Sequence, residues 1–142
     1  METPIRLVIV DDHTLMRETW KMMLQRDARI NVIAECASGA EAIACAEVQQ
    51  PDVILMDINM TPINGFEATQ KIAQSHPAIK IIGLSINNQP TYARNMIQMG
   101  AIGYVTKNSS LEEMLTAIVT VNTGGTYVCN EVNKLMQKAG GI

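Results

Sequence analysis

The chain predicts an α/β fold, a parallel sheet covered by helices on both faces, and three observations carry that prediction. Strand-like and helix-like runs alternate five times along it. The strand-like runs are continuous aliphatic stretches, such as Leu7-Val8-Ile9-Val10 and Val53-Ile54-Leu55-Met56, the pattern of strands buried on both faces. Parallel neighbours need right-handed crossover connections, and the intervening helices supply them.

Residues 5–10 form the first predicted strand. A helix over about 14–26 follows, with Leu15, Met16, Trp20, Met23 and Leu24 on its apolar side. Asn31–Cys36 reads as strand two. Ser38 is the expected N-cap of a helix over about 40–49, with Glu41 in the first turn, where a negative charge suits the helix dipole. Pro51 separates that helix from strand three, which ends at Asp57. Gly65 opens a third helix and Pro77 closes it. Strand four covers about 79–85. Pro90 fits the first turn of helix four, and Gly100 sits where a left-handed cap would end it. Strand five, about 102–106, contains glycine and tyrosine and is placed at a sheet edge. In helix five, Leu111, Met114, Leu115, Ile118 and Val119 fall on one face. Gly124-Gly125 interrupts the pattern, and the tail beyond it has room for a short helix around 131–138.

The 142 residues suffice for one domain with a proper core and are too few for two ordinary ones. Hydrophobic residues make up 47% and aromatics only 4%, so the core is aliphatic and methionine-rich. A net charge of −3 and a pI near 5.3 give no basic footprint for nucleic acid. No N-terminal signal pattern and no run of membrane-spanning length occur, so a cytoplasmic protein is expected. Cys36, Cys45 and Cys129 lack metal-ligand spacing and read as ordinary thiols.

Four strands end in polar groups. Strand one exits at Asp11-Asp12, strand three at Asp57, strand four at Ser85 and strand five at Lys107. Ligands of open α/β sheets collect at the carboxyl ends of the strands, so these residues predict one shared site. Three converging carboxylates repel one another. At ~5 Å and an effective dielectric of about 20, each pair costs roughly 3 kcal/mol. A bound cation relieves that repulsion, and oxygen ligands suit Mg²⁺.

Asp11-Asp12, Asp57, Ser85 and Lys107, with Tyr104 three residues before the lysine, resemble the receiver domain of two-component response regulators over about residues 5–123. Val10-Asp11-Asp12-His13, Gly100-Ala101-Ile102-Gly103-Tyr104 and Gly124-Gly125-Thr126-Tyr127 look most like the NarL/FixJ-type branch. The resemblance implies a flavodoxin-like (βα)5 sheet of strand order 2-1-3-4-5. It implies that Asp57 takes phosphate from a sensor histidine kinase. Asp11, Asp12, Asp57 and the backbone carbonyl of Asn59 would hold Mg²⁺. Lys107 and Ser85 would bind the phosphoryl oxygens, and Tyr104 would turn inward as Ser85 moves. By the same resemblance Asn59 and Asn87 influence dephosphorylation. The output is expected to be transcription regulation; in that branch a helix-turn-helix DNA-binding domain follows the receiver, and the expectation here is either a stand-alone receiver or one whose effector domain has been left out. Residues 1–124 are the expected receiver and 125–142 a linker-like tail. The protein is expected to catalyse nothing beyond its own phosphorylation and dephosphorylation.

Two departures stand out. The family's proline four residues after the phosphoacceptor is Thr61 here, with Pro62 next. Asn108, not proline, follows Lys107, as is usual in this branch. Rival readings are a phosphatase of the haloacid-dehalogenase type, from Asp57-Ile58-Asn59-Met60-Thr61, and a receiver-shaped interaction module that is never phosphorylated. The phosphatase motif places a second acid where Asn59 stands and normally follows the first strand. His13 reads as a solvated loop residue and His76 as a helix-end cation. Helix one has more apolar surface than one face requires, which predicts a weak homodimer through helices one and five, with Trp20 or Met23 at or near the contact.

Overall fold

Runs of residues that exclude water on both sides become the central strands of this protein. In the computed structural model, which describes residues 3–140, β1 (Ile5–Val10), β3 (Val53–Asp57) and β4 (Lys80–Ser85) are almost wholly buried. The other elements are α1 (Thr14–Gln25), β2 (Ile30–Cys36), α2 (Gly39–Gln49), α3 (Gly65–Ser75), α4 (Pro90–Met99), β5 (Gly103–Thr106), α5 (Leu111–Asn122), β6 (Tyr127–Val128) and α6 (Asn130–Gly140). All strand pairs are parallel, in the order β2-β1-β3-β4-β5-β6. Helices α1 and α5 pack together, while α2, α3 and α4 form a second neighbouring series. This is the flavodoxin-like arrangement, with the expected order extended by one strand.

Local signals set the helix ends. The Ser38 side chain accepts from the Glu41 N–H, and Ser110 does the same for Glu113. Asn64 and Glu67 form a reciprocal capping box at the start of α3. Gly100 has φ 119°, the left-handed cap expected of it. Gly65 serves a different purpose. A Cβ there would lie 2.2 Å from the Asp57 carbonyl oxygen and 2.5 Å from the Ile58 Cα, so only glycine lets α3 start against the end of β3.

Three expectations need correction. Strand five is not at the edge. The Tyr127 N–H donates to the Ile102 carbonyl at 3.1 Å and the Cys129 N–H to the Tyr104 carbonyl at 2.9 Å, which pairs the outer side of β5. The tail is correspondingly no loose linker over its described part. Cys129 and Val132 are buried, α6 packs on α4, and Glu131 accepts from both Asn88 (2.7 Å) and Thr106 (3.2 Å). A two-residue strand is too short to show periodicity, which is why the sequence hides it. The ends of the expected 1–124 and 125–142 ranges, residues 1–2 and 141–142, lie outside the described residues. Finally, Trp20 is 3% exposed and belongs to the core rather than a contact surface, and Met23 is half-buried against that core. The apolar surplus of α1 resides instead in Leu15 and Met22, 79% and 56% exposed.

Candidate functional site

Strand register brings the polar exits together. Val10 pairs with Met56, Asp57 with Leu84, and Ser85 with Thr106, so Asp11, Asp57, Ser85 and Lys107 leave the sheet side by side. Asp11, Asp57 and Ser85 are fully buried, and the Lys107 side chain is only 5% exposed. Its ammonium lies 2.9 and 3.1 Å from the two Asp11 carboxylate oxygens and 3.4 Å from Asp57 Oδ2. The structure thus joins strands one, three and five through charge, as expected. Asp12 stands at the rim, 41% exposed. One ligand atom from each of Asp11, Asp12, His13 and Asp57 falls within 4.8 Å of every other, which is close enough for one metal ion.

The two buried acids are not equivalent. Burial, with the Asp11 charge beside it, pushes the Asp57 carboxyl up to about 7, although Lys107 and the Asn59 N–H work the other way. Burial also opposes ionisation of Asp11, but the His13 N–H and the Lys107 ammonium outweigh it and hold Asp11 below the usual carboxylate range. Asp57 Oδ1 accepts from the Asn59 N–H at 3.2 Å, while Oδ2 is buried without any hydrogen-bond donor. Beside Asp57 stand the Lys107 ammonium and the Asp11 and Asp12 carboxylates. The donor set is chiefly carboxylate oxygen, which fits a hard divalent cation such as Mg²⁺.

Ser85 and Tyr104 belong to one network. Ser85 Oγ accepts from the Asn87 N–H at 3.0 Å and lies 3.5 Å from Asn59 Nδ2, and the Tyr104 hydroxyl donates to the Asn87 carbonyl at 2.9 Å. Tyr104 is fully buried. Among the described residues the cis peptide is Thr61–Pro62, so the Lys107–Asn108 bond is trans.

Two participants escaped the sequence reading. Arg17 donates to the Asp11 carbonyl at 2.6 Å and pairs with Glu35 at 3.3 Å, bracing the β1–α1 loop. His13 is exposed as expected of a loop residue, yet its ring nitrogen turns toward the acids, 3.1 Å from Asp11 and 3.3 Å from Asp12. Its position directly after the acid pair was the available signal. A surface hollow of about 740 Å³ lies elsewhere, beside α6. The acid cluster is the candidate site on the strength of its chemistry.

The response regulator receiver domain model matches residues 7–119. DegU of Brevibacillus brevis, a transcriptional regulatory protein, is 39% identical over 127 residues, 89% of this chain and 54% of that protein. UvrY of Escherichia coli K12, a response regulator, is 34% identical over 132 residues, 93% of this chain and 61% of that protein. The chain therefore spans between half and two-thirds of the length of these curated relatives. A LuxR-family two-component response regulator from Aurantimonas sp. SI85-9A1 superposes with a TM-score of 0.94 at 28% identity, over 99% of this chain and 100% of that one. The signal receiver domain of NarL from Mycobacterium tuberculosis does so with a TM-score of 0.82 at 27% identity, over 87% and 99%. An acid cluster at the exits of β1 and β3, a buried lysine from β5 and these likenesses meet in one conclusion: the chain belongs to the response regulator receiver domain family, in its NarL/FixJ-type branch.

Proposed function

We propose that Asp57 accepts a phosphoryl group from a partner histidine kinase in a Mg²⁺-dependent step and that the labelled chain switches a regulatory output. The observation that carries this reading is Asp57 Oδ2, a buried carboxylate oxygen without a hydrogen-bond donor, 3.4 Å from the Lys107 ammonium. Asp57 Oδ2 attacks phosphorus, the bond from phosphorus to the donor nitrogen breaks, and the electron pair departs with the donor imidazole, which takes up a proton. Lys107 balances the charge that builds on the phosphoryl oxygens. Ser85 offers a hydroxyl to another of them, and the Asn59 N–H steadies Oδ1 of the nucleophile. Asp11, Asp12, Asp57 and the Asn59 carbonyl would hold Mg²⁺. When bound, the ion favours the ionised Asp57 and neutralises phosphoryl charge.

Because the phosphoryl group stays on the chain, the protein is a self-labelling switch and not a turnover enzyme. DegU is by name a transcriptional regulatory protein, and transcription control is the output this reading carries to the present chain. The reading implies a cytoplasmic protein. No helix of the described residues is long and apolar enough to cross a membrane.

Intact-mass measurement after incubation with acetyl phosphate and Mg²⁺ tests the proposal. One added phosphoryl group is expected, lost in Asp57→Asn and after chelation of the metal. Equal labelling of the Asn variant, or catalytic hydrolysis of a phosphate monoester over many turnovers, would overturn it.

A further inference from the structure

We propose that α6 is a latch closed against α4 and held by Glu131, and that phosphorylation of Asp57 opens it. The proposal rests on the reading of Asp57 as the phosphoacceptor and names the segment through which the label changes the surface.

Glu131 ties the tail to two strand exits beside the site. Its Oε2 accepts from Asn88 Nδ2, in the loop after β4, at 2.7 Å. Its Oε1 accepts from the hydroxyl of Thr106, the last residue of β5, at 3.2 Å. Both partners adjoin groups of the candidate site. Thr106 pairs in register with Ser85 and directly precedes Lys107. Asn88 follows Asn87, whose N–H donates to Ser85 Oγ at 3.0 Å and whose carbonyl accepts from the Tyr104 hydroxyl at 2.9 Å. A continuous path therefore runs from Ser85 through Asn87 and Asn88 to Glu131 and α6.

The path transmits a movement of Ser85. Its Oγ holds the Asn87 N–H only from its present place. When the hydroxyl turns to a phosphoryl oxygen, the Asn87 N–H loses its acceptor. Asn88, joined to Asn87 by a planar peptide bond, is then drawn from Glu131. The contact with Thr106 does not hold the latch alone. That hydroxyl has one proton and two oxygen acceptors around it, Glu131 Oε1 and Asn108 Oδ1, so it has a second partner ready.

Another anchor lies off this path. Glu113 of α5 accepts from the Tyr127 hydroxyl at 2.9 Å and from the Asn130 N–H at 2.8 Å. It fixes the base of the tail whatever Asn88 does, so the movable part is α6 itself. Burial of Val132 opposes opening, and the label therefore shifts a balance between closed and open helix.

Hydrogen–deuterium exchange of the full chain tests this, with and without beryllium trifluoride and Mg²⁺ as a phosphoryl mimic. In wild type the α6 amides should exchange at least about fivefold faster with the mimic bound, the low end of coupling between sites. In Glu131→Ala and in Asn88→Ala, α6 should exchange fast from the start and respond to the mimic by less than about twofold. The double variant should match either single one, because all three lose the same contact. Linkage is reciprocal, so these variants should also bind the mimic more tightly than wild type by about the factor that their α6 response has lost. Glu113→Ala should speed exchange in both states and keep the difference between them. A full response in Glu131→Ala would overturn the proposal. Loss of the response in Glu113→Ala would also overturn it, by showing that any loosening of the tail has the same effect. If wild type neither binds the mimic nor takes a phosphoryl group from acetyl phosphate, the reading of Asp57 fails and the latch falls with it. If Asp57 is labelled and α6 does not respond, the latch alone fails.

Discussion

Replacing Asp57 by asparagine should stabilise the protein at alkaline pH in the absence of divalent cations. Burial raises the carboxyl from an ordinary 3.8 to about 7. Between about pH 4 and pH 7 the folded chain holds a proton that the unfolded chain has released. Stability therefore falls as pH rises through that window, and the whole penalty stands above it. A shift of about three units corresponds to roughly 4 kcal/mol as an upper limit. Asparagine keeps the shape without the charge but loses the attraction of Lys107, so a gain of about 2–3 kcal/mol at pH 8 is expected. At roughly 2–4 °C per kcal/mol, that is a rise in Tm of about 5–10 °C. Asp11 shifts the opposite way, so its contribution is present at neutral pH and lost as pH falls through the acid range. Thermal unfolding of both chains at pH 5 and pH 8 reads the difference, which should nearly vanish at the lower pH. Saturating Mg²⁺ should close the gap at pH 8 by stabilising wild type alone, by about 2.7 kcal/mol at one hundred times Kd. If wild type at pH 8 without metal is as stable as Asp57→Asn, the reading of a charge-strained site is wrong.

Lys107→Met should destabilise at pH 8 by about 3–5 kcal/mol, because it leaves Asp11 and Asp57 buried without their cation, and denaturant titration should show a smaller loss at pH 5. Gly65→Ala drives a methyl group into the backbone of Asp57 and Ile58, which costs about 1–3 kcal/mol or more, and the displaced Asp57 should label more slowly with acetyl phosphate. Ending the chain at Gly125 uncovers the edge of β5 and the residues that bury Cys129 and Val132. Size-exclusion chromatography should show self-association, and an unchanged monomer of unchanged Tm would argue against a structural role for the tail. A weak homodimer through α1 and α5 should dissociate further in Leu15→Ser/Met22→Ser, as read by sedimentation. A strict monomer at high concentration, with and without a phosphoryl mimic, would remove that expectation.

The alternation of aliphatic runs with helical stripes determined the α/β class by itself, because a strand buried on both faces must be apolar throughout. Val53-Ile54-Leu55-Met56 and Ile81-Ile82 leave no polar position for a solvated face. The cap residues Ser38 and Gly100 were legible for a similar reason, since each acts on backbone groups within a turn of itself. So was the identity of the site, because register carries each strand's last residue to the same edge of the sheet.

What tertiary structure alone decided depends on contacts between distant segments. Whether Trp20 faces the core or a partner follows from how α1 lies on the sheet, which helical periodicity does not specify. β6 exists because β5 offers it unpaired backbone groups, and two residues leave no pattern of their own. The different ionisation of Asp11 and Asp57 is a property of place. Both are buried aspartates, but Lys107 and the His13 N–H sit on one of them, and desolvation dominates the other. Charges act through space, so the sequence could name these groups but not say which of them would hold the proton.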